Sequence, residues 1–183
     1  MDGPEEFAYE LKIPKDRVAV LIGVEGSTKK ELEEATLSKM SVDSKEGDIT
    51  LVGKDPLQLY QLREVIKAIA RGFNPETAKL LLKQDYLLEI VSLAEYSKQK
   101  NHLLRLKGRV IGADGKSRRT IEELTGCFIC VYGKTIALIG QVDQMSIAKR
   151  AVLSLLEGST HASVYKWLER QRRELSRRSA EEF

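Results

Sequence analysis

One order of elements runs through this chain twice, and that repetition narrows the available folds more than any single motif does. Gly23 and Gly112 stand 89 positions apart, and Gly53 and Gly140 stand 87 apart. A drift of two positions is what one change of loop length produces. Around each pair the hydrophobic periodicity gives the same series: strand, short helix, Gly-x-x-Gly, helix, two strands, long helix.

In the first copy, Phe7, Tyr9, Leu11 and Ile13 alternate with polar residues as a strand does. Pro14 ends that strand and opens a short helix through Val18 to Ile22. Gly23-Val24-Glu25-Gly26 follows, with Ser27 placed to cap a helix over 28–37 and Glu31, three past Thr28 and four past Ser27, loosely fitting a capping box. Strands over 40–44 and 48–52 turn at Glu46-Gly47. Gly53 and Pro56 then introduce a long helix carrying Leu59, Leu62, Val65, Ile66 and Ile69, ending near Gly72. In the second copy a strand over 85–94 leads to a short helix over 102–111. Gly112-Ala113-Asp114-Gly115 and a helix over 116–124 come next. Strands over 127–132 and 135–139 turn at Gly133-Lys134, and Gly140 precedes a helix with Met145, Ile147, Ala148, Val152 and Leu155.

The stretch with the clearest chemistry is Gly108-Arg109-Val110-Ile111-Gly112-Ala113-Asp114-Gly115-Lys116-Ser117-Arg118-Arg119-Thr120-Ile121-Glu122. Its glycines permit a tight turn and the close approach of another backbone. The helix behind the turn offers free N–H groups and a positive dipole end to a phosphate. Gly-x-x-Gly alone also describes any glycine-rich turn between helices, so the repeated context carries the argument. The arrangement resembles the loop of a KH domain, which clamps about four nucleotides of single-stranded nucleic acid. The doubled series is the type I KH order. The expected fold is therefore α+β: two β-α-α-β-β-α modules, each a three-stranded sheet backed by helices, plus a C-terminal helix. The expected division is a first module at 7–72, a linker helix at 73–84, a second module at 85–158 and a basic helix at 159–183. In the linker, Pro75 suits a first helical position, and Ala78, Leu81 and Leu82 form a stripe that docks on a neighbouring core.

Charge is divided between the two halves. Residues 1–72 hold 11 Lys/Arg against 14 Asp/Glu, and residues 73–183 hold 19 against 13, which places a polyanion surface on the second half. Lys98 to Arg119 contains eight Lys/Arg and one acid, Asp114. No apolar run approaches the ~20 residues of a membrane helix. The acidic start, Met1 to Glu6, does not read as a secretory signal, so the expected location is cytoplasmic. Cys127 and Cys130 lack two further zinc ligands, the only histidines being His102 and His161, and they read as two buried thiols in a strand. Gly115-Lys116-Ser117 has no glycine five residues before Gly115, so it is not a P-loop. No catalytic, metal or cofactor constellation is legible, and the protein is read as not an enzyme.

The second module, at 108–122 with Gly140, closely resembles the second KH module of the small-ribosomal-subunit assembly factors called partner of Nob, in their archaeal form. That resemblance implies binding to the single-stranded 3′ region of small-subunit pre-ribosomal RNA, beside the maturation endonuclease Nob. Arg109, Gly112, Asp114, Gly115, Lys116, Arg118 and Thr120 to Glu122 match the family pattern. Ala113 departs from it, standing where a basic residue is expected. In the first loop Glu25 places a carboxylate where the RNA backbone would run, and Glu31, Glu33 and Glu34 line the next helix. Lys29 and Lys30 offset these in part, so the first module is expected to be auxiliary or protein-contacting.

The expected RNA site comprises Gly108, Arg109, Val110, Ile111, Gly112, Ala113, Asp114, Gly115, Lys116, Ser117, Arg118 and Arg119, with Ile129 and Val131 lining an apolar groove. Arg109, Lys116, Arg118 and Arg119 would neutralise phosphates. Secondary contacts are expected at Gly23, Val24, Gly26, Lys29, Lys30, Lys98, Lys100, Arg105 and Lys107. In the terminal helix, Val164, Trp167, Leu168, Gln171 and Leu175 face one side, and Lys166, Arg170, Arg172, Arg173, Arg177 and Arg178 surround the rest. That helix reads as solvated and docked by Trp167, or as an extension of the RNA track. The rival functions are a protein-interaction scaffold and an RNA-binding accessory subunit of an RNA-degrading complex.

Overall fold

The computed structural model describes residues 6–181, with side chains through Arg177. Met1 to Glu5 and the Arg178 side chain lie outside the described residues. The chain divides into two compact units, the first ending at Gln84 and the second beginning at Asp85.

The first unit holds β1 (Phe7–Lys12), α1 (Lys15–Ile22), α2 (Ser27–Ala35), β2 (Ser38–Val42), β3 (Asp48–Gly53), α3 (Pro56–Ala70) and α4 (Pro75–Ala78). Its antiparallel sheet runs β1-β3-β2, with Tyr9 opposite Leu51 and Leu51 opposite Met40. Met40, Ile49 and Leu51 of the sheet are buried, as are Leu59, Leu62, Val65, Ile66 and Ile69 of α3, which packs on β1 and β3. α3 begins where the sequence dictates: Pro56 needs no N–H partner, and the Asp55 side chain accepts from Leu57 N (2.8 Å) and Gln58 N (3.3 Å). α4 and the single 3-10 turn after it pack on this same unit. Ala78 and Leu81 are buried, Gln61 Nε2 donates to Leu82 O at 3.3 Å, and Lys79 pairs with Glu31 and Glu76.

The second unit repeats the series as β4 (Tyr86–Ser92), α5 (Lys100–Ile111), α6 (Lys116–Thr125), β5 (Phe128–Tyr132), β6 (Thr135–Gln141) and α7 (Val142–Leu156), and adds α8 (His161–Glu181). The sheet order is β4-β6-β5. Val91, Ile129, Ile136 and Leu138 meet Leu103, Leu106, Val110, Ile121, Met145, Ala148 and Val152 in one core, which Val164 and Leu168 of α8 complete. α8 is thus docked chiefly by Val164 and Leu168. Trp167 is only partly buried, with the Arg150 guanidinium 5.1 Å from its ring centre.

The duplication extends to single hydrogen bonds. Glu33 accepts from Met40 N at 2.7 Å, and Glu122, 89 positions on, accepts from Ile129 N at 2.8 Å. Each carboxylate ties the second helix of its module to an edge strand. Thr36 and Thr125, also 89 apart, bond Leu32 O and Ile121 O, each at 2.7 Å. Ile121 and Glu122, which match the family pattern, therefore serve the fold, one in the core and one as this tie.

Cys127 is buried on the core face beneath Gly140, whose added Cβ would meet its Sγ at 2.3 Å; Cys130 is only half-buried. The expectation of two buried thiols is corrected to one, because residues three apart on a strand point to opposite faces. Burial pushes the Cys127 thiol up, against a smaller lowering by its Thr125 hydrogen bond. No helix among the described residues is long and apolar enough to cross a membrane.

Candidate nucleic-acid interface

The two Gly-x-x-Gly loops have one backbone. Gly23 (φ 75°, ψ 176°), Glu25 (53°, 25°) and Gly26 (78°, 15°) correspond to Gly112 (74°, 174°), Asp114 (50°, 29°) and Gly115 (76°, 12°). A Cβ at Gly112 would stand 2.6 Å from Ser117 N, so the chain there must pass bare against the start of α6. A Cβ at Gly115 meets nothing within 4 Å, and glycine is favoured there by its positive φ alone. Asp114 holds a left-handed conformation that short polar side chains tolerate. This tight turn also displaces the expected cap of the first loop. Gly26, not Ser27, is the last residue before α2, no side chain caps that helix, and Glu31 turns to Lys79.

α6 likewise starts without a side-chain cap, so its first-turn amides and positive dipole end open over the loop. Ser117 is buried there, with no partner for its Oγ among the described residues. The Lys116 side chain is exposed and has no bonded partner among the described residues. Arg118 lies 3.8 Å from Glu122, and Arg119 Nη2 donates back to Asp114 O at 2.7 Å, bracing the turn. Gly108, Ala113 and Asp114 are exposed, while Gly112, Gly115 and Ile111 are partly so.

Three expected site residues belong to the fold instead. Arg109 Nε donates to Leu155 O (2.7 Å) and its Nη2 to Ser159 O (2.6 Å), so its charge is committed to the end of α7. Arg17 makes the same pair of bonds in the first unit, to Ile69 O (2.8 Å) and Phe73 O (2.6 Å). Val110 is wholly buried and Ile129 is 3% exposed, both in the core; neither lines a groove. Val131 is half-buried at the edge of that core.

The wall that leads to the loop is set by helix spacing. With Leu103, Leu106 and Val110 buried, the residues left outward on another face of α5 are Leu104, Gly108 and Ile111, at i, i+4 and i+7. Leu104 is 55% exposed and absent from the expected site; its spacing from Ile111 was the available signal. The basic run splits about the same helix. Lys100 and Lys107 flank this wall, whereas Arg105 and Arg109 point to the far side with His102. Lys98 is exposed ahead of the helix.

The first loop shares the geometry and differs in charge. Val24 is 83% exposed beside Glu25 at the apex. Lys29 lies 4.0 Å from Glu33, which is already tied to Met40 N, and Lys30 is exposed. Gly23 and Gly26 are partly exposed. The described residues contain no cluster of three or more His, Cys, Asp or Glu able to hold a metal.

Comparison with known proteins places this geometry among relatives. Residues 87–173 match the eukaryotic type KH-domain (KH-domain type I) family, and residues 8–68 match the KH domain family. A KH domain-containing protein of Methanocaldococcus jannaschii is 47% identical over 179 residues, covering 96% of this chain and 78% of that protein. The crystal structure of Dim2p from Pyrococcus horikoshii is 45% identical, with a TM-score of 0.84, over 90% of this chain and 99% of that one. The same organism's aDim2p, in a complex with a/eIF2alpha and rRNA, is 43% identical with a TM-score of 0.86, over 92% and 96%. A protein of unknown function from Aeropyrum pernix is 37% identical with a TM-score of 0.91, over 97% of each chain.

Proposed function

This chain belongs to the family of tandem KH-domain proteins that includes the Methanocaldococcus jannaschii protein and Dim2p of Pyrococcus horikoshii, and on that premise we propose that it is a single-stranded RNA-binding protein of small-subunit ribosome biogenesis, taking the 3′ region of the rRNA on its second module. The observation that carries this reading is the turn at Gly112–Gly115: a bare backbone over an uncapped helix, ringed by Lys116, Arg118 and Arg119. Nearly the same backbone in the first unit carries an equivalent carboxylate, Glu25 for Asp114, but has Ser27 in place of Lys116 and Glu31 in place of Thr120, which favours the second unit for the RNA role. The relative crystallised with rRNA supports the assignment.

RNA crosses the loop with its phosphates toward the α6 amides and the three cations, and its bases lie along Leu104, Gly108 and Ile111 toward the Val131 edge. Phosphate contacts set position and base contacts set sequence. The protein acts by binding and presenting the strand. Resemblance to the partner-of-Nob factors extends the proposal to Nob as a protein partner, with the first unit as the protein-facing module.

The test is the affinity of a fluorescent oligonucleotide carrying the rRNA 3′ end, against a scrambled one. Gly115→Asp is the variant of choice. It puts a carboxylate where the structure has open space, whereas Gly112→Asp would collide with Ser117. A loss of tenfold or more for Gly115→Asp is expected, with stability lowered by no more than about 1 kcal/mol by the left-handed backbone at that position. Weak binding indifferent to sequence and to this substitution would leave the protein a docking scaffold.

A further inference from the structure

On the far side of α5 from the Leu104–Ile111 wall lies a cleft of ≈ 580 Å³, bounded by His102, Arg105, Gly108, Gly112, Ala113 and His161. The chain has two histidines, and both line this cleft although one stands on α5 and the other opens α8. No Asp or Glu among the described residues lines it. His102 and Arg105 are exposed and have no bonded partner among the described residues. His161 Nε2 lies 2.7 Å from Arg109 O. A carbonyl only accepts, so Nε2 donates to it and His161 braces the cleft wall. Arg109 in turn grips Leu155 O and Ser159 O, so the cleft walls are clasped before anything binds. Gly108, lacking a side chain, opens its backbone to the cleft as well as to the base-binding wall.

We propose that this cleft is a phosphate subsite for the nucleotide next to those clamped by the loop, so that the RNA footprint extends past Gly112-Ala113 and around α5. The chemistry is that of a phosphodiester: a guanidinium free to make two parallel hydrogen bonds, the exposed His102 imidazole as a further N–H donor, and no carboxylate among the described residues lining the cleft. The proposal rests on the RNA reading of the second loop, and it separates the basic run into residues that face bases and residues that hold a flanking phosphate.

The experiment compares oligonucleotides of four and of seven nucleotides from the rRNA 3′ end, on the full chain, by anisotropy and by nuclear magnetic resonance of backbone amides and histidine rings. The double variant His102→Ala with Arg105→Gln is expected to bind the tetramer within twofold of wild type and the heptamer about tenfold more weakly. The heptamer, and not the tetramer, should move both histidine ring signals. Equal losses on the two lengths would reduce the cleft to diffuse charge and overturn the proposal. Silent histidine rings, with shifted amides at Gly112–Gly115, would overturn it while the loop reading stands. If neither oligonucleotide moves the loop amides, the loop reading fails and takes the subsite with it. Histidine signals that respond to an acidic peptide and not to the heptamer would assign the cleft to a protein.

Discussion

At Arg109 a guanidinium beside an RNA loop bonds two backbone carbonyls at the end of α7, Leu155 O and Ser159 O. Hydrogen bonds made by charged groups each contribute about 1.5–3 kcal/mol. Arg109→Ala is therefore expected to lower stability by about 2–3 kcal/mol in urea unfolding, while the salt dependence of RNA affinity stays as it is. Lys116→Ala should do the reverse, leaving stability alone and making the log K against log salt slope shallower by about 0.7. Leu37 shows strain that its counterpart avoids. It is 79% exposed at φ 47°, in the position that Gly126 fills after α6 at φ 71°. Leu37→Gly should stabilise the protein by roughly 0.5–1 kcal/mol, because the left-handed closing turn of a helix favours glycine. Cys127, buried and with its thiol pushed up, has little thiolate at pH 8. Mass spectrometry after iodoacetamide treatment of the folded protein should find Cys127 unmodified.

Among the elements, the long helices and paired strands were legible because each carries a full period of buried residues. Leu59, Leu62, Ile66 and Ile69 could face inward only from a helix, and Ile49 and Leu51 only from a strand. What sequence reasoning missed came from neighbours in sequence that point apart. Val110 and Ile111 are adjacent, but α5 turns 100° between them, sending one into the core and leaving the other at the surface. Leu104 was passed over because its link to the loop is a helical face, visible only once Leu103, Leu106 and Val110 are known to be inside. The commitment of Arg109 was hidden for a different reason: its acceptors lie 46 and 50 residues away, and no local pattern announces a backbone carbonyl. Arg17 shows the same thing from the other unit. Its acceptors, Ile69 and Phe73, match Leu155 and Ser159 in order, but the arginine sits one helical turn further from its loop.

Over the whole molecule, uneven charge falls on two units that share a backbone plan, 13 Lys/Arg against 15 acids in the first and 17 against 12 in the second. The slope of RNA affinity with salt should therefore belong to the second unit. Lys29→Gln with Lys30→Gln is expected to leave it unchanged, at about −3 if four phosphates are neutralised. A slope that halves in that variant would make the first unit an equal reader. Two different sequences, Gly-Val-Glu-Gly and Gly-Ala-Asp-Gly, arrive at nearly one set of dihedral angles. In the second, Arg119 bonds the turn from one side and Arg109 anchors the helix before it from the other. A loop whose shape is fixed by its glycine spacing and its two flanking helices has little conformational freedom left to surrender on association. The strand that stiffens when the complex forms is the RNA, and the unfavourable entropy of binding should scale with the flexibility of the oligonucleotide while the protein's own amide motions stay nearly as they were.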